Sequence, residues 1–189
     1  MLEWLIALDK DLLVAINGMH CPAMDSFMWF VSGRLSWIPL YLVILAYPFY
    51  RKGWKHGLIF ILSVAAVVTI ADQSSVIFFK NVFCRYRPTH NLEIGPMLHI
   101  VNGYKGGMYG FVSSHAANTV AVAMLSALIF RKPFYTAGIV LWAVLVSYSR
   151  MYLGAHYPAD IIGGALVGVA SAAIVYCLLR RFLIKYSRL

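Results

Sequence analysis

Apolar residues gather along this chain into long stretches separated by short polar breaks. Crossing about 30 Å of hydrocarbon takes roughly 20 helical residues. Five stretches approach that length, near Asp25–Tyr47, Gly57–Phe79, Ala116–Phe130, Phe134–Tyr148 and Pro158–Leu179. The third and fourth are short and must borrow flanking residues. Segment Leu2–Ile16 differs: it is apolar at Leu2, Leu5, Ile6, Leu8, Leu12, Leu13 and Ile16, with charges between. That spacing predicts an amphipathic helix lying in the interface rather than across the bilayer. The pattern thus predicts an all-α, polytopic membrane bundle forming a single domain over residues 1–189. It has five transmembrane helices, six if the N-terminal segment also crosses, with an interfacial helix within residues 1–20.

Composition agrees. The chain is 61% hydrophobic and 12% charged, against about a quarter charged in a soluble domain. The net charge of +9 suits either nucleic acid or a membrane, and its location decides. With five spans, Arg51, Lys52, Lys55, Arg131, Lys132, Arg180, Arg181, Lys185 and Arg188 fall on one side, in segments without an acid. The positive-inside rule makes that side, and the C-terminus, cytoplasmic. The charge therefore reads as topology, and nucleic acid is not an expected partner. Cys21, Cys84 and Cys177 form no CxxC pair, so neither a zinc site nor a disulfide framework is implied.

The same topology brings three polar segments to the opposite, outward face. They are Lys80-Asn-Val-Phe-Cys-Arg-Tyr-Arg87-Pro88, Val112-Ser113-Ser114-His115, and Ser149-Arg150 through His156 to Asp160. Lys80, Arg87 and Arg150 supply three cations, and Arg forks match phosphate oxygens. Ser113, Ser114 and the amides after them open a helix, a natural anion site. His156 and Asp160 are spaced i, i+4 at a helix start and share one face. The carboxylate can hold one imidazole nitrogen protonated and leave the other free to attack. His115, from a separate helix start, can protonate a leaving oxygen.

The pattern Lys-x6-Arg-Pro, Ser-x-His, then Ser-Arg-x5-His-x3-Asp resembles the type-2 phosphatidate phosphatase family, in a bacterial membrane member. That superfamily also contains glucose-6-phosphatase and the vanadium haloperoxidases. The resemblance covers Lys80 to Asp160, and the helical layout extends it to most of the chain. It implies a lipid phosphatase in which His156 is the nucleophile of a phospho-histidine intermediate, Asp160 its partner and His115 the leaving-group acid. It also implies that Lys80, Arg87, Ser113 and Arg150 bind phosphate, with no metal or other cofactor. One segment departs: the family usually reads Pro-Ser-Gly-His, and Ser114 stands here in place of the glycine. Its hydroxyl adds a donor beside the phosphate.

Several residues carry other expectations. Arg34 and Asp72 each place a charge inside a span, which costs about 2.5–3.5 kcal/mol on insertion scales, so a structural Arg34–Asp72 pair is expected. The glycine-rich loop 89–111 reads as a flexible cover. His20, His56, His90 and His99 match no motif. Undecaprenyl diphosphate ranks first among substrates, lipid A phosphate close behind, then phosphatidylglycerophosphate and phosphatidate. The outward site suits the outer leaflet of a bacterial inner membrane, with membrane lipids as the surroundings. A haloperoxidase-like enzyme and a non-catalytic transporter or scaffold are the competing readings.

Overall fold

A computed structural model describes residues 2–186, with the side-chain surroundings of 3–181. Among these residues the chain is helical, with one isolated bridge between Tyr86 and Tyr109 and no strand. Seven helices follow in order: α1 (Leu2–Gly18), α2 (Pro22–Ser32), α3 (Ile38–Lys52), α4 (Trp54–Ser74), α5 (Ser114–Phe130), α6 (Pro133–Tyr152) and α7 (Pro158–Tyr186). Proline fits the first turn of a helix, where its missing N–H costs nothing. It stands there in α2, α3, α6 and α7. Three helical stretches are long and apolar enough to cross a membrane: Trp54–Phe83, Pro133–Tyr152 and Pro158–Arg181. Ser114–Phe130 is a shorter apolar helix.

The expected continuous span Asp25–Tyr47 is corrected. It breaks at Gly33–Trp37 into α2 and α3. Gly33 takes an extended conformation there, with φ of -68° and ψ of 133°, and its N–H donates to the Phe30 carbonyl at 3.0 Å. Trp37 Nε1 closes the break by donating to the Val31 carbonyl at 2.8 Å. A second departure lies at the end of α4, which runs through a π-helical turn, Ser75–Lys80, into a last turn at Asn81–Phe83. Such bulges are rare and gather at functional sites.

Residues Leu2–Gly18 are helical, and the face that α1 turns inward carries polar groups. Asp9, Leu13 and Asn17, each four residues apart, are buried, while Trp4, Leu5, Ile6, Leu8 and Leu12 are exposed. The inward polar groups find partners, described below.

The core has two main parts. One joins Val31, Ile44, Phe60, Ala123, Trp142 and Val146. The other joins Val67, Ala71, Ala117, Ala121, Leu125 and Ala172. Small residues dominate the second because α5 and α7 form the closest helix pair. A Cβ on Gly164 would lie 2.4 Å from the Ser113 carbonyl oxygen, and one on Gly168 2.5 Å from that of Ala117. With Ala172 they form a small-xxx-small seam. At the far end, Arg51, Lys52, His56 and Lys132 gather round one groove. The side chain of Lys185, and Arg188, lie outside the described residues.

The seam makes a prediction. Alanine is the better helix former by about 1 kcal/mol, but a methyl driven into backbone oxygen costs about 1–3 kcal/mol. Gly164→Ala and Gly168→Ala should therefore lower the thermal unfolding midpoint in detergent. Gly138→Ala, whose Cβ would meet open space, should not. Unchanged midpoints for the first two would show that the seam does not constrain the bundle.

Candidate active site

The three polar segments meet at one end of the bundle. The anchor is Asp160, in the first turn of α7 and fully buried. Its Oδ2 lies 3.3 Å from His156 Nδ1 and accepts the Tyr157 backbone N–H at 3.1 Å. A carboxylate facing Nδ1 fixes the proton there and leaves Nε2 with its lone pair. His156 sits in the turn between α6 and α7 at 1% exposure. Burial, and then the nearby cations Arg87, Arg150 and Lys80, push His156 well below the ordinary histidine range. It is therefore neutral at neutral pH.

The cations reach the site from three elements. Lys80 ends the π-helical turn, and its Nζ donates to Ser114 Oγ at 2.5 Å. Arg87 is positioned by the bridge, where its N–H donates to the Met108 carbonyl at 2.9 Å and Gly110 N–H to the Arg85 carbonyl at 2.8 Å. Its Nε donates to the Tyr109 carbonyl at 3.2 Å, while Nη1 is buried without a protein partner. Gly106, with φ of 67°, lets the loop lie against that guanidinium, since a Cβ there would be 2.7 Å from Nη1. Arg150, 3% exposed at the end of α6, donates to Ser32 Oγ and to Tyr104 Oη at 2.9 Å. Its Nε is also buried and unpartnered.

Ser113 caps α5: its Oγ accepts the Ala116 N–H at 3.4 Å, and its own N–H donates to the Asp160 carbonyl at 2.9 Å. Ser114 is the first residue of α5 and has no positive φ. A glycine is not required there, and its hydroxyl is shared between Lys80 and Ser75, the latter at 2.6 Å. His115 lines a pocket with Ser32, Arg34, Tyr104 and Arg150. A second cleft of about 570 Å³ begins beside it and runs down between Trp37, Tyr41, Leu45, Val68, Asp72 and Asn118.

The expected Arg34–Asp72 pair is corrected. Both residues line that cleft, but no ion pair joins them. Arg34 falls in the break between α2 and α3 and is exposed, whereas Asp72 accepts from Asn118 Nδ2 at 3.3 Å. The cleft meets the need for a wet or polar surrounding that a pair would have met. His99 ties loop to helix by contacting Asp25 Oδ2 at 2.8 Å and stacking on His20 at 3.8 Å. Loop 89–111 is anchored by Ile94 and Leu98 against Leu13 and Tyr157, and by Val101 against Met28 and Tyr152. Among the described residues no three His, Cys, Asp or Glu side chains converge as metal ligands would.

The sequence reading missed Asp9, Ser32, Ser75, Arg85 and Tyr104. Only Arg85 carried a signal, as a third basic residue inside the Lys80–Arg87 segment. The others come from elements whose approach to the site no spacing encodes.

A buried histidine–carboxylate pair ringed by three cations in a helical membrane bundle defines a membrane phosphatase, and residues 53–183 match the PAP2 superfamily. The chain belongs to that superfamily and is a lipid phosphatase, a hydrolase of phosphoric esters. It is 40% identical over 169 residues to the lipid A 4'-phosphatase of Bacteroides thetaiotaomicron, covering 89% of this chain and 75% of that protein. It is 37% identical over 177 residues to the lipid A 4'-phosphatase of Porphyromonas gingivalis, covering 93% and 74%. In fold it matches the PAP2-type phosphatidylglycerolphosphate phosphatase of Bacillus subtilis, with a TM-score of 0.69, 23% identity and coverage of 96% and 87%.

The depressed His156 makes a prediction independent of any role. Histidine NMR on the ligand-free protein should show His156 still neutral at pH 6.5, titrating only below. The unfolded chain then binds that proton first, so this group's contribution to stability falls as pH drops below about 6.5. A His156 charged at pH 6.5 would contradict the burial and the cationic ring.

Proposed function

We propose that this chain removes a phosphate monoester from a sugar-headed lipid of the lipid A class, at the outer leaflet of a bacterial inner membrane. The observation that carries the phosphate chemistry is the pair of buried, unpartnered donors, Arg87 Nη1 and Arg150 Nε, near a neutral His156. Donors kept dry and unpaired are costly unless an anion satisfies them. Lys80, Arg87, Arg150, Ser113 and Ser114 bind the phosphate oxygens. Nε2 of His156 attacks phosphorus, and the bond from phosphorus to the lipid oxygen breaks. That oxygen takes a proton from His115, while Asp160 steadies the charge left on the His156 ring. Water then attacks the phospho-histidine, His115 takes its proton, and inorganic phosphate leaves. Three cations offset the charge of the phosphate, so the reaction is read as needing no metal. The cleft beside His115, polar above and apolar below, suits a lipid alcohol as leaving group.

The relatives named above favour lipid A phosphate over undecaprenyl diphosphate, reversing the ranking reached from residues. The topology is read as five crossings, with α2 and α3 sharing the first. Neither is long enough to cross alone, and a break is tolerated where backbone lines a cavity. The basic groove at the far end supports a cytoplasmic placement there and an outward site. In this reading α1 lies in the outer interface, and loop 89–111 covers the site.

Phosphate release from purified lipids tests the substrate: kcat/KM should be highest on a phosphorylated lipid A disaccharide. Faster turnover of undecaprenyl diphosphate would move the assignment. His156→Ala should fold yet lose all but about 1% of activity, within the range for removal of a nucleophile. Retention of more than a few per cent would sink that role. Activity should survive excess EDTA and yield to vanadate. Burial and then Arg150 push His115 down to about 3 in the empty site, so the donor form depends on bound phosphate: kcat should follow a bell, while kcat/KM falls on the acid side below about 6.5. Maleimide labelling of single cysteines in intact cells should reach loop 89–111 and not the C-terminal tail; the opposite result would reverse the orientation.

A further inference from the structure

Asp160 is held on its far side by residues that the reaction described above does not use. Arg85 Nη1 donates to Asp160 Oδ1 at 3.0 Å, and Nη2 donates to Asp9 Oδ2 at 2.7 Å. The guanidinium lies 4.0 Å above the Tyr157 ring. The other oxygen of Asp9 accepts the Ala159 N–H at 2.8 Å, one residue before Asp160. Asp9 is itself buried, at 8% exposure. It therefore caps the start of α7 and balances the charge of Arg85 at once. Asn17, two turns further along α1, fixes the helix by donating to the Tyr152 carbonyl at 2.7 Å and accepting the His99 N–H at 2.8 Å.

We propose that Asp9 and Arg85 are positioning residues: they fix the Asp160 carboxylate and, through it, the orientation of His156. The proposal rests on the reading of His156 as nucleophile. Both oxygens of Asp160 are engaged, Oδ1 by Arg85 and Oδ2 by His156 and the Tyr157 N–H. A carboxylate held at both ends cannot rotate away from the imidazole. Arg85 differs from the other cations of the site in its donors. Its two terminal nitrogens are committed to carboxylates, whereas Arg87 Nη1 and Arg150 Nε are unpartnered. It acts on Asp160, and Asp9 keeps it from swinging toward the phosphate. Because Asp9 cancels Arg85, the triple keeps one net negative charge beside His156 for the steps in which the ring is cationic.

Phosphate release by the full-length protein in detergent tests this with Arg85→Ala, Arg85→Lys, Asp9→Asn and the double variant Asp9→Asn/Arg85→Ala. Arg85→Ala should lower kcat roughly 100-fold with KM within about threefold, the split expected of a group acting only in the transition state. Added guanidinium should restore part of that kcat. Arg85→Lys and Asp9→Asn should each lose roughly 10-fold, since lysine cannot fork and asparagine still accepts from Ala159. The double variant should be no worse than Arg85→Ala, because Asp9 acts through Arg85. Raised KM with unchanged kcat would make Arg85 a phosphate ligand and overturn the proposal. So would multiplying losses in the double variant, or a loss that guanidinium does not relieve. If Arg85→Ala does not fold, Arg85→Lys and Asp9→Asn decide by the same kcat and KM split. His156→Ala in the same assay separates the two readings: activity there removes the nucleophile assignment, whereas an inactive His156→Ala beside a fully active Arg85→Ala removes only the positioning role.

Discussion

A carboxylate with no exposed surface must be fully bonded or it will not stay charged, and one end of this bundle is organised around meeting that need for Asp160. Its partners come from distant parts of the chain: His156 and the Tyr157 N–H from the turn before α7, and Arg85 from the segment after α4. Asp9 of α1 adds a further contact by holding Arg85. Removing any one leaves a buried charge short of a bond, so these segments hold each other. The same residue ties α7 to α5 through its carbonyl, which accepts the Ser113 N–H. The buried pair and the start of α5 are thereby locked together.

The tight seam between α5 and α7 makes that lock possible. Glycines at 164 and 168 let α7 approach until the Ser113 and Ala117 carbonyls lie where a Cβ would be. One turn beyond the seam, Asp160 stands beside the start of α5. On the opposite side the bundle is looser. The break between α2 and α3 and the polar groups of Asp72 and Asn118 leave a cleft that reaches from His115 toward the apolar interior. The bundle is thus packed rigidly on one flank of His156 and Asp160 and open as a cleft on the other.

Helix α1 shows how a correct periodicity can mislead about direction. The charges among its leucines mark an amphipathic helix, and the helix forms. In water the apolar face would turn inward. Here Asp9 and Asn17 turn in, because the surface beneath offers Arg85, the α7 N-terminus and the Tyr152 carbonyl. Leu5, Leu8 and Leu12 are left outside, where a bilayer interface can receive them, while Leu13 packs inward. Hydropathy reports only that two faces differ, and the surroundings decide which is buried.

Local pattern was enough to specify much of this protein. Long apolar stretches marked helices α4 to α7, within a few residues at most ends. The spacing of Lys80, Arg87, Ser113, His115, Arg150, His156 and Asp160 marked one cluster at a common end of the bundle, because span counting alone brings helix ends to a common face. The i, i+4 relation of His156 and Asp160 encoded their contact directly, since His156 leads into the first turn of the helix that carries Asp160. What depends on approach between elements was not legible. The break at Gly33, the π-helical turn that delivers Lys80, and the absence of an Arg34–Asp72 pair follow from packing against neighbours. So do the parts of Asp9, Ser32 and Tyr104, single polar residues whose partners lie 46 to 150 positions away. A sequence states which groups a chain owns and how they repeat along a helix; only the folded bundle decides which of them share a buried hydrogen bond, because that depends on distances no local period contains.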